Sequence, residues 1–482
     1  MPTSPLPPPP DLHLSTPLRK RWLQLRRYKD RMATLFIMLG GLGVILSVLM
    51  ILFYLLYQVV PLLSPASITP QPQQMTAPMT GSSLYLALDA DGRTGVRLNT
   101  QGQLQFIRPA STEVLPPLSL PLPAGSHIAD LAEAGDGLLV LLLSDGRILV
   151  VQPQHRESQG LAPALHFPLG TVPISLGAAP ARQVTSVLEN NRLLLVNFNG
   201  DQLHQFEADL NQPVPVISYS GRLPTPGFEP ERLHIMPETS RVLALGPEGR
   251  IAVVPLQGTG TTYEVVRASR QAITLFELLP GRRSLIIGDA SGHLSQWFFA
   301  PDEYATPRLQ QIRQFNRLAS PARQLAGHDV YNGFVTLEQN GTLSLFSLTS
   351  SRSLLRSNVL GGPADALALA PLSGQLLLEQ QGRISSWQLH TPHADITFGS
   401  LWREIWHEDY DAPGHIWQSS TNGSDLAAKY SLVPLVFGTL KAALYAMLMA
   451  TPMAICGAIY TAYFMAPALR RKIKPMIEMM AA

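Results

Sequence analysis

One cation interrupts an otherwise uncharged run near the end of the chain. From residue 432 to residue 456 the only charge is Lys441. About 20 apolar residues cross a bilayer core, and an ammonium inside such a run is costly. Two readings fit it. The ammonium attracts an anion toward a pathway, or it snorkels to the outer headgroups, because only about two helical turns precede it. Other reactive residue types are scattered. His390, His393 and His407 lie near one another, but no HExxH or paired-cysteine spacing supports a zinc site. They read as solvated or hydrogen-bonded histidines. The single cysteine, Cys456, lies inside the apolar run, so neither a disulfide nor a cysteine-bound metal is expected. No GxxxxGK[ST] loop is present, so the chain is not expected to hydrolyse ATP. With no nucleophile or acid–base pair in view, the expectation is a protein that is not an enzyme and has no catalytic, cofactor or metal site.

The elements that position Lys441 follow from composition. Charged residues make up 15 % of the chain, against roughly 25 % in an average soluble protein, which points to membrane content. The net charge of +2 argues against a nucleic-acid partner. Residues 1–31 form a Pro-rich, then basic, tail expected to be disordered. Residues 32–60 contain no charge and predict a first transmembrane helix. The cations Arg19 to Arg31 before it place its amino end inside. Residues 61–83 read as a linker. Arg470, Arg471, Lys472 and Lys474, in segment 466–482, form a second basic cluster, so that segment is also inside. Everything between the two spans is then outside. Anionic membrane lipid is a candidate partner of the first basic run, and the second cluster is first a topology signal and second a candidate contact to a cytoplasmic partner.

Residues 84–390 have a different pattern: short apolar strands, many turns and no helical period. They also repeat. Apolar strand, glycine turn and alternating strand recur around Gly102, Gly146, Gly200, Gly249, Gly292, Gly341 and Gly382. Polar-Gly turns such as Asp145-Gly146 and Asn340-Gly341 suit hairpins, because Gly and Asn accept positive φ. Spacings of 41 to 54 residues between these glycines match four short strands per repeat. That predicts an all-β propeller of about seven blades, inserted between two transmembrane helices. GHLSQW, GTLSLF and GRISSW are similar to the closing strand of WD-type repeats, without the Asp after the Trp. In segment 391–430, Trp402, Trp406 and Tyr410 stand four apart and predict an aromatic stripe on a short amphipathic helix beside the membrane. Residues 431–465 are the second span. Pro452 is expected to kink it, and Gly438 to let another helix approach.

The last stretch also resembles a known family. PLVFGTLKAALYAM, ATPMAICGAIYTAYF and LRRKIKPMIEMMAA look like the start of the core of phosphate-import ABC permeases, closest to a large proteobacterial variant with a long periplasmic insertion. The matching positions are Pro434, Gly438, Thr439, Lys441, Pro452, Ala458, Ile459, Tyr460, Tyr463, Arg470, Arg471, Lys474, Pro475 and Glu478. The resemblance covers roughly the last 85 residues well and the first span in outline. It implies a permease subunit in a bacterial inner membrane. The implied partners are a second permease subunit, cytoplasmic ATPase subunits and a periplasmic phosphate-binding protein. The propeller, which ordinary members lack, is expected to dock that binding protein or a regulatory partner. Family members continue with further helices, so these 482 residues read as an amino-terminal portion. The rival reading is a membrane-anchored propeller acting as scaffold or sensor without transport.

Overall fold

The computed structural model describes residues 17–60, 64–76, 79, 81–110, 115–154, 163–177, 179–256, 262–328, 333–391, 393–408, 410–419 and 428–481. The chain forms two units, residues 1–64 and 65–482. The first contributes one helix, α1 (Pro17–Val59). Its part Thr34–Val59 is long and apolar enough to cross a membrane. The helix starts earlier than expected, so residues 17–31 are helical rather than disordered tail. Leu, Arg, Lys and Gln favour helix, and extending an existing helix costs far less than starting one. Residues 1–16 of the expected tail lie outside the described residues.

The second unit is built on seven antiparallel sheets, six of four strands and one of five. These are the blades of a seven-bladed β-propeller. Blade 1 begins at Ser83–Leu88, blade 2 at Ile128–Gly135, blade 3 at Gln183–Glu189 and blade 4 at Arg232–Met236. Blade 5 begins at Ile273–Leu278, blade 6 at Ala322–His328 and blade 7 at Ala366–Leu369. These first strands pack against one another around the centre. Middle strands such as Leu138–Leu143 are buried along their whole length, because each blade is sandwiched between two others. Seven separate apolar clusters result, one at each blade–blade interface.

All seven predicted turn glycines sit in the hairpin between the second and third strands of a blade, and all have positive φ. At six of them, all but Gly382, two requirements coincide. The hairpin needs left-handed backbone, and the segment crossing to the next blade lies directly on the turn. At Gly146 a Cβ would stand 2.3 Å from Pro180 Cβ, and at Gly341 1.8 Å from the Gly362 carbonyl oxygen.

The expected linker is corrected by the ring closure. Ser67–Thr76 is a strand, the outermost of blade 7, antiparallel to Arg383–His390. Its prolines suggested a linker, but an edge strand tolerates residues that cannot donate to the ladder. The register shifts between Pro70 and Gln74. Within that bulge Gln71 accepts from Ser386 Oγ at 3.0 Å and Gln375 Nε2 at 3.3 Å, and donates to Gln388 Oε1 at 3.2 Å. Next to this blade, Arg97 of blade 1 and Glu379 of blade 7 form an ion pair with both side chains fully buried. Arg97 also donates to Ser83 Oγ at 2.7 Å and to the Gly81 carbonyl at 2.9 Å.

After the propeller comes a short helix, α2 (Phe398–Trp402), then α3 (Val433–Ile459), a five-residue π turn (Tyr460–Phe464) and α4 (Pro467–Ala481). Val433–Phe464 is again long and apolar enough to cross a membrane. The expected aromatic helix does not form. The backbone is already extended at Arg403, Ile405 bridges Gly414, and Trp417–Gln418 pairs with Lys429–Tyr430. Packing on the propeller overrides the fourfold spacing. Trp406 meets Phe298 edge-on at 6.1 Å and donates to the Tyr410 carbonyl at 2.8 Å, and Ser284 donates to Glu408.

Replacing Glu379 by Ala strands a buried guanidinium and is expected to cost about 3–5 kcal/mol. The double replacement Arg97→Met with Glu379→Leu is expected to recover most of that loss. Thermal unfolding followed by circular dichroism reads both. Gly341→Ala is expected to destabilise the propeller more than Gly382→Ala, whose Cβ would meet nothing within 4 Å.

Candidate functional site

The residues singled out by the sequence lie on α3, the π turn and α4. At about 100° per residue, Pro434, Gly438, Lys441 and Pro452 fall on one face of α3, with Tyr445 among them. The Lys441 ammonium stands 5.8 Å from the Tyr445 ring centroid. Pro434 occupies the first turn, where its missing N–H leaves no gap. Thr439 is off this face, and its hydroxyl donates to the Leu435 carbonyl at 2.8 Å. Ala458 and Ile459 close α3, and Tyr460 and Tyr463 belong to the π turn. Arg470, Arg471, Lys474, Pro475 and Glu478 are on α4. The side chains of Pro475 and Glu478 lie outside the described residues. Arg470 donates to the Ala462 carbonyl, a favourable place for a cation because carbonyls at a helix end lack partners. No residue of α3 is buried. The structure therefore gathers one predicted set, Pro434, Gly438, Lys441 and Pro452, on a shared face. It places the others elsewhere along α3, the π turn and α4.

The segment joining the propeller to α3 holds a feature that sequence reasoning missed. Thr349, Asp395, Arg403, His407, Lys429 and Ser431 line a cavity of about 10 Å³, room for about one water. α2 supports it through a capping box, in which Thr397 and Ser400 each bond the other's backbone N–H. Asp395 Oδ1 is buried and makes no hydrogen bond. Burial pushes the Asp395 carboxyl up to about 7. Lys429, itself buried, donates to Gln418 at 3.3 Å and lies over the Tyr410 ring at 5.2 Å. Of the three histidines near one another in sequence, His407 borders this cavity, His390 ends the third strand of blade 7 and is exposed, and His393 is half-buried.

A second missed feature runs through the propeller centre. Arg282, in the first hairpin of blade 5, reaches across to the Ser186 carbonyl of blade 3 at 2.9 Å and to the Glu133 carbonyl of blade 2. Arg232 of blade 4 pairs with Glu277 of blade 5 at 2.8 Å. The His234 ring meets the Phe276 carbonyl at 2.7 Å, and burial lowers its pKa. Burial raises Asp130 above the ordinary carboxylate value, while the Arg232 charge draws it back. These groups tie inner strands together and leave no nucleophile beside a base. The available hint was a charged residue within the first strands of blades 2, 4 and 5: Asp130, Arg232 and Glu277.

No known protein family matches the chain, and no characterised protein matches it in sequence. Among solved structures it is similar to Raptor of Chaetomium thermophilum, at 16 % identity and a TM-score of 0.51, over 68 % of this chain and 29 % of that one. It is also similar to the β-propeller domain of Cps50 (Swd1) from Myceliophteria thermophila, at 13 % identity and a TM-score of 0.47, over 68 % of this chain and 100 % of that one. At such identities the likeness concerns the fold alone.

Asp395 gives a pH prediction. Its folded pKa, about 7, lies above the ordinary 3.8, so the folded state holds its proton more tightly than the unfolded state. Its contribution to stability is complete below pH 3.8 and is lost as pH rises through 7. Asp395→Asn is expected to remove this loss. The Tm difference between variant and parent should shift in favour of the variant between pH 4 and pH 8, and thermal unfolding across that range measures it.

Proposed function

We propose that this chain is the amino-terminal part of the permease subunit of a phosphate-import ABC transporter, with its propeller on the outer side of a bacterial inner membrane. The supporting observation is where the chain meets the ring. Ser67 and His390 are cross-strand partners, so the polypeptide enters and leaves the propeller at one corner of blade 7. Only residues 60–66 separate the end of α1 from this strand. A domain with adjacent ends can be inserted between two helices without forcing them apart. Thr34–Val59 and Val433–Phe464 are the two spans in this reading. The resemblance of the α3–α4 sequence to phosphate permeases supplies the substrate class. Lys441, on one face with Pro434, Gly438 and Pro452, then presents a cation toward a second permease subunit or the anion path. The propeller docks the periplasmic phosphate-binding protein or a regulator, and ATP is hydrolysed on separate cytoplasmic subunits.

The pairing also supplies the experiment. Cross-strand Cα atoms are about 5 Å apart, so residues 68–389 can be replaced in the full-length protein by a short glycine linker. The expected outcome is a membrane-inserted protein with reduced phosphate uptake that no longer captures the binding protein. Unchanged uptake together with unchanged capture overturns the docking role. Loss of partner capture by a chain on which phosphate uptake never depends supports the scaffold reading instead.

A further inference from the structure

Among the described residues, the apolar side of α4 is largely exposed, with Ile473 half-buried. At about 100° per residue, Leu469, Ile473, Met476 and Ile477 fall in a sector about 100° wide, the width of an amphipathic helix's apolar stripe. Leu469 is 49 %, Met476 55 % and Ile477 45 % exposed. Lys472 stands on one margin of this sector, and Arg470 and Lys474 stand on the other. Arg471 faces the opposite way. All four cations are exposed, and no acid occurs from residue 465 to residue 477.

The position of this helix is as informative as its faces. The apolar run of α3 ends in the π turn, the backbone is extended at Met465, and α4 starts at Pro467. Arg470 bonds back to the Ala462 carbonyl, so the start of α4 is held where the apolar run stops. From these observations we infer that α4 lies in the plane of the membrane where α3 emerges, with its apolar sector among the acyl chains and its marginal cations on anionic lipid headgroups. This rests on the reading of α3 as a membrane span. The charge arrangement favours a lipid surface over a protein groove. Cations on both margins of one apolar sector suit a flat anionic plane, into which the stems sink while the charges stay at headgroup level. Each basic residue near such a surface adds about 1 kcal/mol. Removing two shifts the balance against the surface by about 30-fold.

The test uses the full chain in bilayer nanodiscs made of neutral phosphatidylcholine alone or with phosphatidylglycerol added. A spin label on the native Cys456 reports whether α3 is in the bilayer. In a Cys456→Ser background, labels at Met476→Cys and Ala468→Cys report the apolar and polar sides of α4. The expected result is lipid-like accessibility at 476 and aqueous accessibility at 468, stronger with phosphatidylglycerol and lost when Lys472→Gln and Lys474→Gln are added. An aqueous Cys456 label overturns both the span and the inference. A lipid-protected Cys456 with an aqueous label at 476 overturns the inference alone. Protection at 476 that ignores lipid charge, or that arises only when another protein is added, assigns the face to a different occupant and overturns it as well.

Discussion

Ring closure is the constraint on which this structure depends. A propeller has as many interfaces as blades, and the last must join residues far apart in sequence. Here blade 7 takes its outer strand from Ser67–Thr76, and the Gln71–Gln388 bond spans 317 residues. The same closing region carries the smallest apolar cluster, six buried residues where the other interfaces have nine to thirteen. The Arg97–Glu379 pair lies beside it. A buried ion pair is a poor source of net stability and a severe penalty when mismatched. Its effect at this interface is to make incorrect pairing of blade 1 with blade 7 expensive.

Closure by the first strand also governs how the domain connects to its surroundings. Because that strand lies beside the last strand in sequence, the two ends of the propeller emerge together. The segment after the ring does not swing free. Trp406 against Phe298, Glu408 at Ser284 and the Asp395 carbonyl at Thr349 seat it on blades 5 and 6. The chain then turns into α3 through Ser431, whose N–H donates to the Ile416 carbonyl at 2.9 Å, and Leu432, whose N–H donates to the Leu401 carbonyl at 2.9 Å. The start of α3 is thus fixed by backbone bonds to the segment that is seated on the propeller. The buried Asp395 and Lys429 sit at the same junction, which makes it polar rather than a plain tether.

Much of the fold was legible because propeller repeats are local. Each turn glycine lies between two strands that pair with each other, so a stretch of about a dozen residues carries the whole signal, as at Gly146 or Gly341. The errors came where the deciding contact was remote. Pro70 and Pro72 looked like linker residues because nothing near them in sequence shows that Arg383–His390 needs an outer partner. The Trp402, Trp406 and Tyr410 spacing satisfied a helix, but Phe298, over 100 residues earlier, drew Trp406 into another conformation.

The sequence by itself determined the period of the repeats, the seven hairpin turns, the two apolar helices and the lone charge of Lys441 within one of them. These depend on neighbours within a few residues, where steric and hydrophobic preferences act directly. Only the tertiary structure decided which strand closes the ring, that Arg97 meets Glu379, that Arg282 crosses the centre, and that Asp395 is buried. Each of these joins residues distant along the chain, and burial is a property of the assembled fold. A carboxylate's pKa, or a guanidinium's need for a partner, is set by that burial and is not written in the residue's own neighbourhood.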